Sequence, residues 1–499
     1  MLYTSTRDKS LGVTSAAAIT NGISADGGLF VPCEIPAVSL EFIDSMKNMS
    51  YKERAKKVLA LYLTDFTADE ISAFVEGAYS GGKFSSEEIA PVVNLHDNVN
   101  ILELWHGPTC AFKDMALQLL PHLLIGSSKK TLKDKEIVIL VATSGDTGKA
   151  ALEGFCDVDS TKILVFYPED GVSPMQKRQM CTQEGKNVGV CAIYGNFDDA
   201  QTGVKSIFTD DEIKKVFEKN NLVFSSANSI NWGRLVPQIV YYFSAYCDML
   251  KQGKITLGEK INIVVPTGNF GNILAANYAM KMGLPVNRLV CASNANNVLT
   301  DFITTGKYNK NRDFYTTISP SMDILISSNL ERLMFLLHDE DDAAVRELYA
   351  SLKEKGEFEV SGEVLEKIKA VYSAGCCGDG ETKQTIHDVY ENYHYLCDTH
   401  TAVAVKVCED YRKETGDMTP VVVASTASPY KFGASVLSAL TGDADGDEFS
   451  MLTQLEELTN VKAPEQLRNL KDKEVRFTGV CEKDTDSMRK VVFNMLGIE

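Results

Sequence analysis

Between about Glu136 and Lys431, short apolar runs rich in β-branched residues alternate with longer helical patterns, and this alternation predicts an α/β protein. Two further observations agree. The runs are apolar on both faces, as strands of a parallel sheet covered by helices must be. The segments joining run to helix are rich in glycines, hydroxyls and amides, and in open α/β folds such loops bind ligands at the carboxyl ends of the strands.

The strand candidates, in order, are Ile137–Ala142, Ile163–Tyr167, Leu222–Phe224, Ile261–Val265, Leu289–Cys291 and Val421–Ala424. Between them lie helical stretches at Gly148–Phe155, Ala200–Phe208, Gly233–Met249 and Asn272–Met282, several opening with Gly, Asp or Asn and closing near Gly. Residues 1–95 read differently. A turn-rich start (Asp26-Gly27-Gly28, Pro32, Pro36) precedes helical patterns through Tyr51–Leu63 and Ala68–Ala78, and is expected to form an N-terminal domain. Within the core expected at 96–440, a charged helical stretch at Asp339–Tyr372 has the character of an insertion. Thr441–Glu448 is an acidic linker to a C-terminal segment ending at Glu499.

Fifty Lys and Arg against 68 Asp and Glu give a net charge of −18, with no basic block to hold nucleic acid or acidic lipid. Small-molecule partners are expected. No run reaches the roughly 18 apolar residues of a membrane span, and no apolar stretch follows the charged start, so a soluble, unprocessed protein is expected. Twelve cysteines without any C-x-x-C spacing suit a reducing, cytoplasmic compartment. Nothing in the sequence specifies an oligomeric state or an effector site.

Five segments carry chemistry. In His106-Gly107-Pro108-Thr109-Cys110-Ala111-Phe112-Lys113-Asp114, a helix starting near Thr109 or Cys110 places Lys113 on a stripe with Ala116, Leu117 and Leu120. Such a lysine either snorkels to water or is desolvated, with a lowered pKa suited to Schiff-base chemistry. Thr143-Ser144-Gly145-Asp146-Thr147-Gly148, between strand and helix, offers hydroxyls and free amides to an anion or to ordinary capping. It is not a Walker loop, because Lys149 is followed by Ala150. Pro266-Thr267-Gly268-Asn269-Phe270-Gly271-Asn272 has the form of a phosphate cradle at a helix N-terminus, without the G-x-G-x-x-G spacing of a dinucleotide site. Ser226-Ala227-Asn228-Ser229-Ile230-Asn231 leads to Arg234, a guanidinium able to hold a second anion. Ser425-Thr426 follows the last strand.

These segments, with Asn21-Gly22-Ile23 through Gly27-Gly28-Leu29-Phe30-Val31-Pro32, resemble threonine synthase in the longer branch of that family, over most of the chain and in the family's order. The resemblance implies a two-lobed core of the tryptophan-synthase-β type with an extra N-terminal domain. It implies a pyridoxal 5'-phosphate enzyme that converts O-phosphohomoserine and water to threonine and phosphate. Lys113 would be the Schiff-base lysine. Gly268, Asn269, Phe270, Gly271 and Asn272 would hold the cofactor phosphate, and Thr426 would face the pyridine nitrogen. Asp146 stands where shorter relatives carry an asparagine against the ring hydroxyl. Thr143, Ser144, Thr147, Asn228, Ser229 and Arg234 would hold the substrate phosphate. Two anionic groups need two anion sites, and a neutral hydroxyl at Thr426 would not force a proton onto the ring nitrogen.

Alternatives remain at this level. A related enzyme that only eliminates phosphate, giving 2-ketobutyrate and ammonia, could share every motif, whereas a non-catalytic binder of a phosphometabolite would need no Lys113. A dehydratase or sulfhydrylase would have no use for Asn228 to Arg234. Cys376, Cys377, His387, His394, Cys397 and His400 lack zinc-ligand spacing, so no metal is expected. Asp443–Asp447 lacks the Gly and Glu of a calcium loop. His106 reads either as catalytic or as shaping a turn beside Gly107-Pro108, His400 is expected to face the site without metal, and Tyr241-Tyr242 to lie in the core.

Overall fold

The computed structural model describes residues 1–132, 135–170 and 172–498. Two sheets form the two lobes. The larger has six strands in the order Tyr372–Cys376, Val286–Ser293, Ile261–Pro266, Val421–Ser425, Val99–Glu103 and Val92–His96, all parallel except the last. The smaller has five parallel strands in the order Val480–Glu482, Val188–Tyr194, Thr161–Pro168, Glu136–Ala142 and Leu222–Ser225. Every residue of Ile137–Ala142 and Ile261–Pro266 is buried, which is why these strands read as unbroken apolar runs.

The N-terminal residues share their core with the rest. Trp232, fully buried at the start of the helix Trp232–Lys251, packs against Tyr3, Tyr62 and Tyr278 with ring centroids 5.4–5.5 Å apart. Each such pair adds about 0.5–1.5 kcal/mol beyond area burial. Arg54, on the helix Tyr51–Tyr62, is buried against the same long helix and pairs with Asp248 at 2.6 Å. A three-stranded antiparallel sheet, Asp8–Val13, Tyr3–Ser5 and Phe30–Pro32, completes this part.

Val92–His96 pairs with Val99–Glu103 as a hairpin, so a division at residue 95 cuts a paired element of the large sheet. The stretch at 339–372 holds the helices Asp342–Lys355 and Gly362–Val371 around Glu357–Glu359, which pairs with Lys307–Asn309. Residues beyond 441 pack on both lobes. The helix Glu448–Thr459 packs on Gly433–Thr441 in the large lobe, whereas Val480–Glu482 and the helix Thr485–Leu496 complete the small one. No helix among the described residues is long and apolar enough to cross a membrane.

Candidate active site

Strand order brings the expected segments together. Val99–Glu103, Val421–Ser425 and Ile261–Pro266 are adjacent and parallel, so the Lys113 segment, Thr426 and the loop 266–272 leave the same edge of the large sheet. Glu136–Ala142 and Leu222–Ser225 are likewise neighbours in the small sheet, so the loops at 143–148 and 226–231 emerge side by side. The loops therefore come from two sheet edges, one in each lobe.

Lys113 opens a helix of only five residues, Lys113–Leu117, and the chain restarts as Leu120–Thr131 with Pro121 in its first turn. The stripe running from Lys113 to Leu120 along one helix is therefore not formed. Cys110 sits at φ 58, and the turn around it is folded onto the buried Asp114, whose carboxylate accepts from Thr109 N and Oγ1 at 2.9 and 2.6 Å. Burial pushes Asp114 up to about 6, against the pull of those two bonds. Phe112 N donates to Thr426 O at 2.8 Å, tying the lysine segment to the end of the last strand.

Burial lowers Lys113 to about 8; Asp146 opposes this shift, and Lys431 and Arg234 add to it. Its Nζ lies 3.8 Å from Asp146 Oδ2 and donates to Ser321 Oγ at 3.3 Å. Asp146 is also held by Lys431 Nζ at 2.6 Å and Gln176 Nε2 at 2.9 Å. Burial alone would raise its pKa, but the two lysines outweigh burial and hold it well below the carboxylate range. Sequence reasoning missed Lys431, which is fully buried and also donates to Thr109 O at 2.9 Å. Its one sequence signal is a charge in the apolar setting Pro429-Tyr430-Lys431-Phe432. Ser321 was missed too. Its backbone N–H donates to His400 Nε2 at 3.2 Å, and His400 Nδ1 lies 2.8 Å from Asp398, an arrangement that fixes the proton on Nδ1. His106 instead joins Glu103 and Ser85 and stacks on Trp105, shaping its turn.

The loop 266–272 forms a cradle. Phe270 takes a left-handed conformation (φ 62) at the start of the helix Gly271–Met282, whose first amides have no partners within the helix. Tyr241 and Tyr242 are core residues whose hydroxyls both donate to Asn272 Oδ1, leaving the buried Nδ2 unpartnered. A Cβ at Gly268 would lie 2.6 Å from Ser321 O. Gly268→Ala is therefore expected to displace the loop at a cost of about 1–3 kcal/mol. Spectroscopic titration should show cofactor affinity falling roughly ten- to a hundredfold.

The second cradle centres on Arg234. It is buried, donates one bond to Ala227 O and leaves Nε unpartnered, and burial lowers it to about 10. Asn228 and Ser229 flank it half-buried, as do Ser144 and Thr147 on the neighbouring loop. Thr143 is placed otherwise: its hydroxyl oxygen accepts from Gly145 N and Gly148 N at 3.0 and 2.9 Å, closing its own loop. Those two accepted bonds leave the Thr143 O–H free to donate to an anion. Among the described residues no three His, Cys, Asp or Glu side chains gather as a metal site.

These features fit pyridoxal phosphate. An unpartnered carboxamide N–H and free helix amides await an anion, and a buried amine with a lowered pKa stands on the same sheet edge.

Comparison with known proteins agrees. Residues 2–79 match the family model "Threonine synthase N terminus", residues 90–427 "Pyridoxal-phosphate dependent enzyme", and residues 401–492 "Threonine synthase, C-terminal". The chain is 41% identical over 433 residues to human threonine synthase-like 1, covering 85% of this chain but only 57% of that protein. It is 39% identical to threonine synthase of Pseudomonas aeruginosa, covering 89% of this chain and 91% of the relative. The structure of PLP-bound threonine synthase from Brucella melitensis superposes with a TM-score of 0.88 at 36% identity, over 99% of both chains.

Proposed function

The chain belongs to the threonine synthase family of pyridoxal-phosphate-dependent enzymes, and we propose that it converts O-phosphohomoserine and water to L-threonine and phosphate. Two anion cradles flank one buried lysine, and that pairing supports the assignment: a cofactor and a substrate that each carry a phosphate need both.

Bound cofactor supplies an electron sink for the carbon skeleton attached to the substrate's amine. The chain supplies positioning and proton movement. Asn272 Nδ2, the amides at Gly271 and Asn272, and the turn through Gly268, Asn269 and Phe270 hold the cofactor phosphate. Thr426 takes the pyridine nitrogen with a neutral hydroxyl. Asp146 keeps its charge between two lysines. Lys113, lowered to about 8 by burial, accepts the Cα proton and, once that proton has been handed on, a Cβ proton. As the Cγ–O bond breaks, Arg234, Asn228, Ser229, Ser144 and Thr147 hold the departing phosphate. A proton then returns to Cγ, water's hydroxyl joins Cβ, a second proton returns to Cα, and the third leaves with the phosphate. The twelve free cysteines support a cytoplasmic location.

Incubation with O-phosphohomoserine should yield threonine and phosphate in equal amounts; 2-ketobutyrate with ammonia would assign the elimination-only reaction instead. Arg234→Ala is expected to raise KM about a hundredfold or more, because it removes a buried charge-assisted contact of about 3 kcal/mol. Cofactor absorbance should hardly change. Equal loss of both would mean that Arg234 serves the cofactor phosphate.

A further inference from the structure

The helix Leu330–Leu337 starts where both anion loops meet, and its first residues touch each of them. Asn329 is fully buried. Its backbone N–H donates to Asn269 O at 3.1 Å on the cofactor-phosphate loop, and its Nδ2 donates to Ser229 Oγ at 3.2 Å on the substrate-phosphate loop. Arg332, also fully buried, holds Asn329 in place by donating to its Oδ1. The same guanidinium donates to Ile230 O at 2.6 Å and to Ser229 O at 3.4 Å, and it lies 5.9 Å from the ring centre of Trp232, two residues before Arg234. Its remaining donor, Nε, reaches Phe30 O in the N-terminal sheet at 3.0 Å.

Glu331, the residue before Arg332, completes a clamp. It is buried and accepts from Thr6 Oγ1 at 2.6 Å and from Arg7 Nε and Nη2 at 2.9 and 2.7 Å. Side chains within one helix turn thus link the N-terminal strands to the two cradles.

We propose that Asn329 and Arg332 are positioning residues that hold the cofactor-phosphate loop and the substrate-phosphate loop at a fixed spacing, and that the N-terminal segment influences the reaction through them. This rests on the reading of Asn228 to Arg234 as the substrate-phosphate loop. Spacing matters because a bound cofactor ring and the substrate's Cγ must meet between the two cradles, and small displacements are costly there. Arginine is required at 332 because only a planar fork serves Asn329, two loop carbonyls and Phe30 together; lysine has one nitrogen to offer.

The test uses the holoenzyme. In Arg332→Lys, KM for O-phosphohomoserine and the inhibition constant of inorganic phosphate should both rise by roughly ten- to a hundredfold. Cofactor absorbance should be retained, and kcat should fall by less. Arg7→Gln, at the outer end of the clamp, should shift the same two constants in the same direction by a smaller factor, and it serves where Arg332→Lys does not fold. A lowered melting temperature with unchanged phosphate inhibition in both variants would overturn the proposal. Arg234→Ala is measured in parallel. If it weakens phosphate inhibition and the other two do not, the positioning role alone fails; if it too leaves inhibition unchanged, the loop is not an anion site and both readings fall.

Discussion

Lys113→Ala is expected to abolish turnover, by at least about four orders of magnitude, while leaving a folded protein that still takes up cofactor through its phosphate cradle. The size of the loss follows from the position of Lys113 in the site. Ser321 and Asp146 surround its amine with one weak hydrogen bond and one loose ion pair, and burial holds it near 8, so about one molecule in ten is neutral at pH 7. An ordinary lysine at about 10.4 would be neutral in fewer than about one molecule in a thousand at pH 7. Uptake of cofactor by the free protein, followed by absorbance, should accelerate as pH rises through about 8 and level off above it. The stability sign is set by the same shift. Between about 8 and the unfolded value of about 10.4 the unfolded chain binds the extra proton, so this group's contribution makes the cofactor-free protein more stable as pH rises across that window. Borohydride reduction of the holoenzyme and peptide mapping should place the cofactor on Lys113. Label on Lys431, the other buried lysine beside Asp146, would overturn the assignment.

Much of this arrangement was legible in the residues, because the loops belong to strands whose apolar runs are local features. Ile137–Ala142 and Ile261–Val265 are each extended by one residue in the structure, to Glu136 and to Pro266, and the turns after them carry the expected glycines and hydroxyls. What stayed hidden is the partnership between distant segments. Ser321 reaches Lys113 across 208 positions, and Lys431 reaches Thr109 across 322. No periodicity encodes such contacts. The Lys113 helix misled for a related reason. Its stripe was read from spacing alone, whereas the chain from Thr109 to Phe112 is shaped by Asp114 and by Lys431, and the restart at Leu120 owes its position to Pro121. The hairpin across residue 95 likewise shows only once the strands pair.

Lys431→Met should be the most damaging substitution to stability, costing about 3–5 kcal/mol, because it strips a buried carboxylate of its principal partner. Asp146 is 4% exposed and Lys431 1%, so water cannot replace the missing ammonium. The lost pair also changes the chemistry in a direction that mere destabilisation would not. Without Lys431, Asp146 has Lys113 as its remaining cation, and a positive charge that depressed Lys113 is gone. Both effects raise the Lys113 pKa, so the pH midpoint for cofactor uptake should move upward from about 8. Asp146→Asn leaves the converse defect, a buried ammonium without its carboxylate, and removes the charge that favours protonated Lys113, so its midpoint should move downward. Combining the two substitutions restores a neutral pair, and replacing both partners of a buried ion pair is often close to neutral for stability. The double variant should therefore recover a large part of the stability that either single variant loses, in a denaturant-unfolding cycle. Additive losses would mean that Lys431 and Asp146 are stabilised separately, whereas the opposed midpoint shifts, which come from each charge acting on Lys113, should persist in either case.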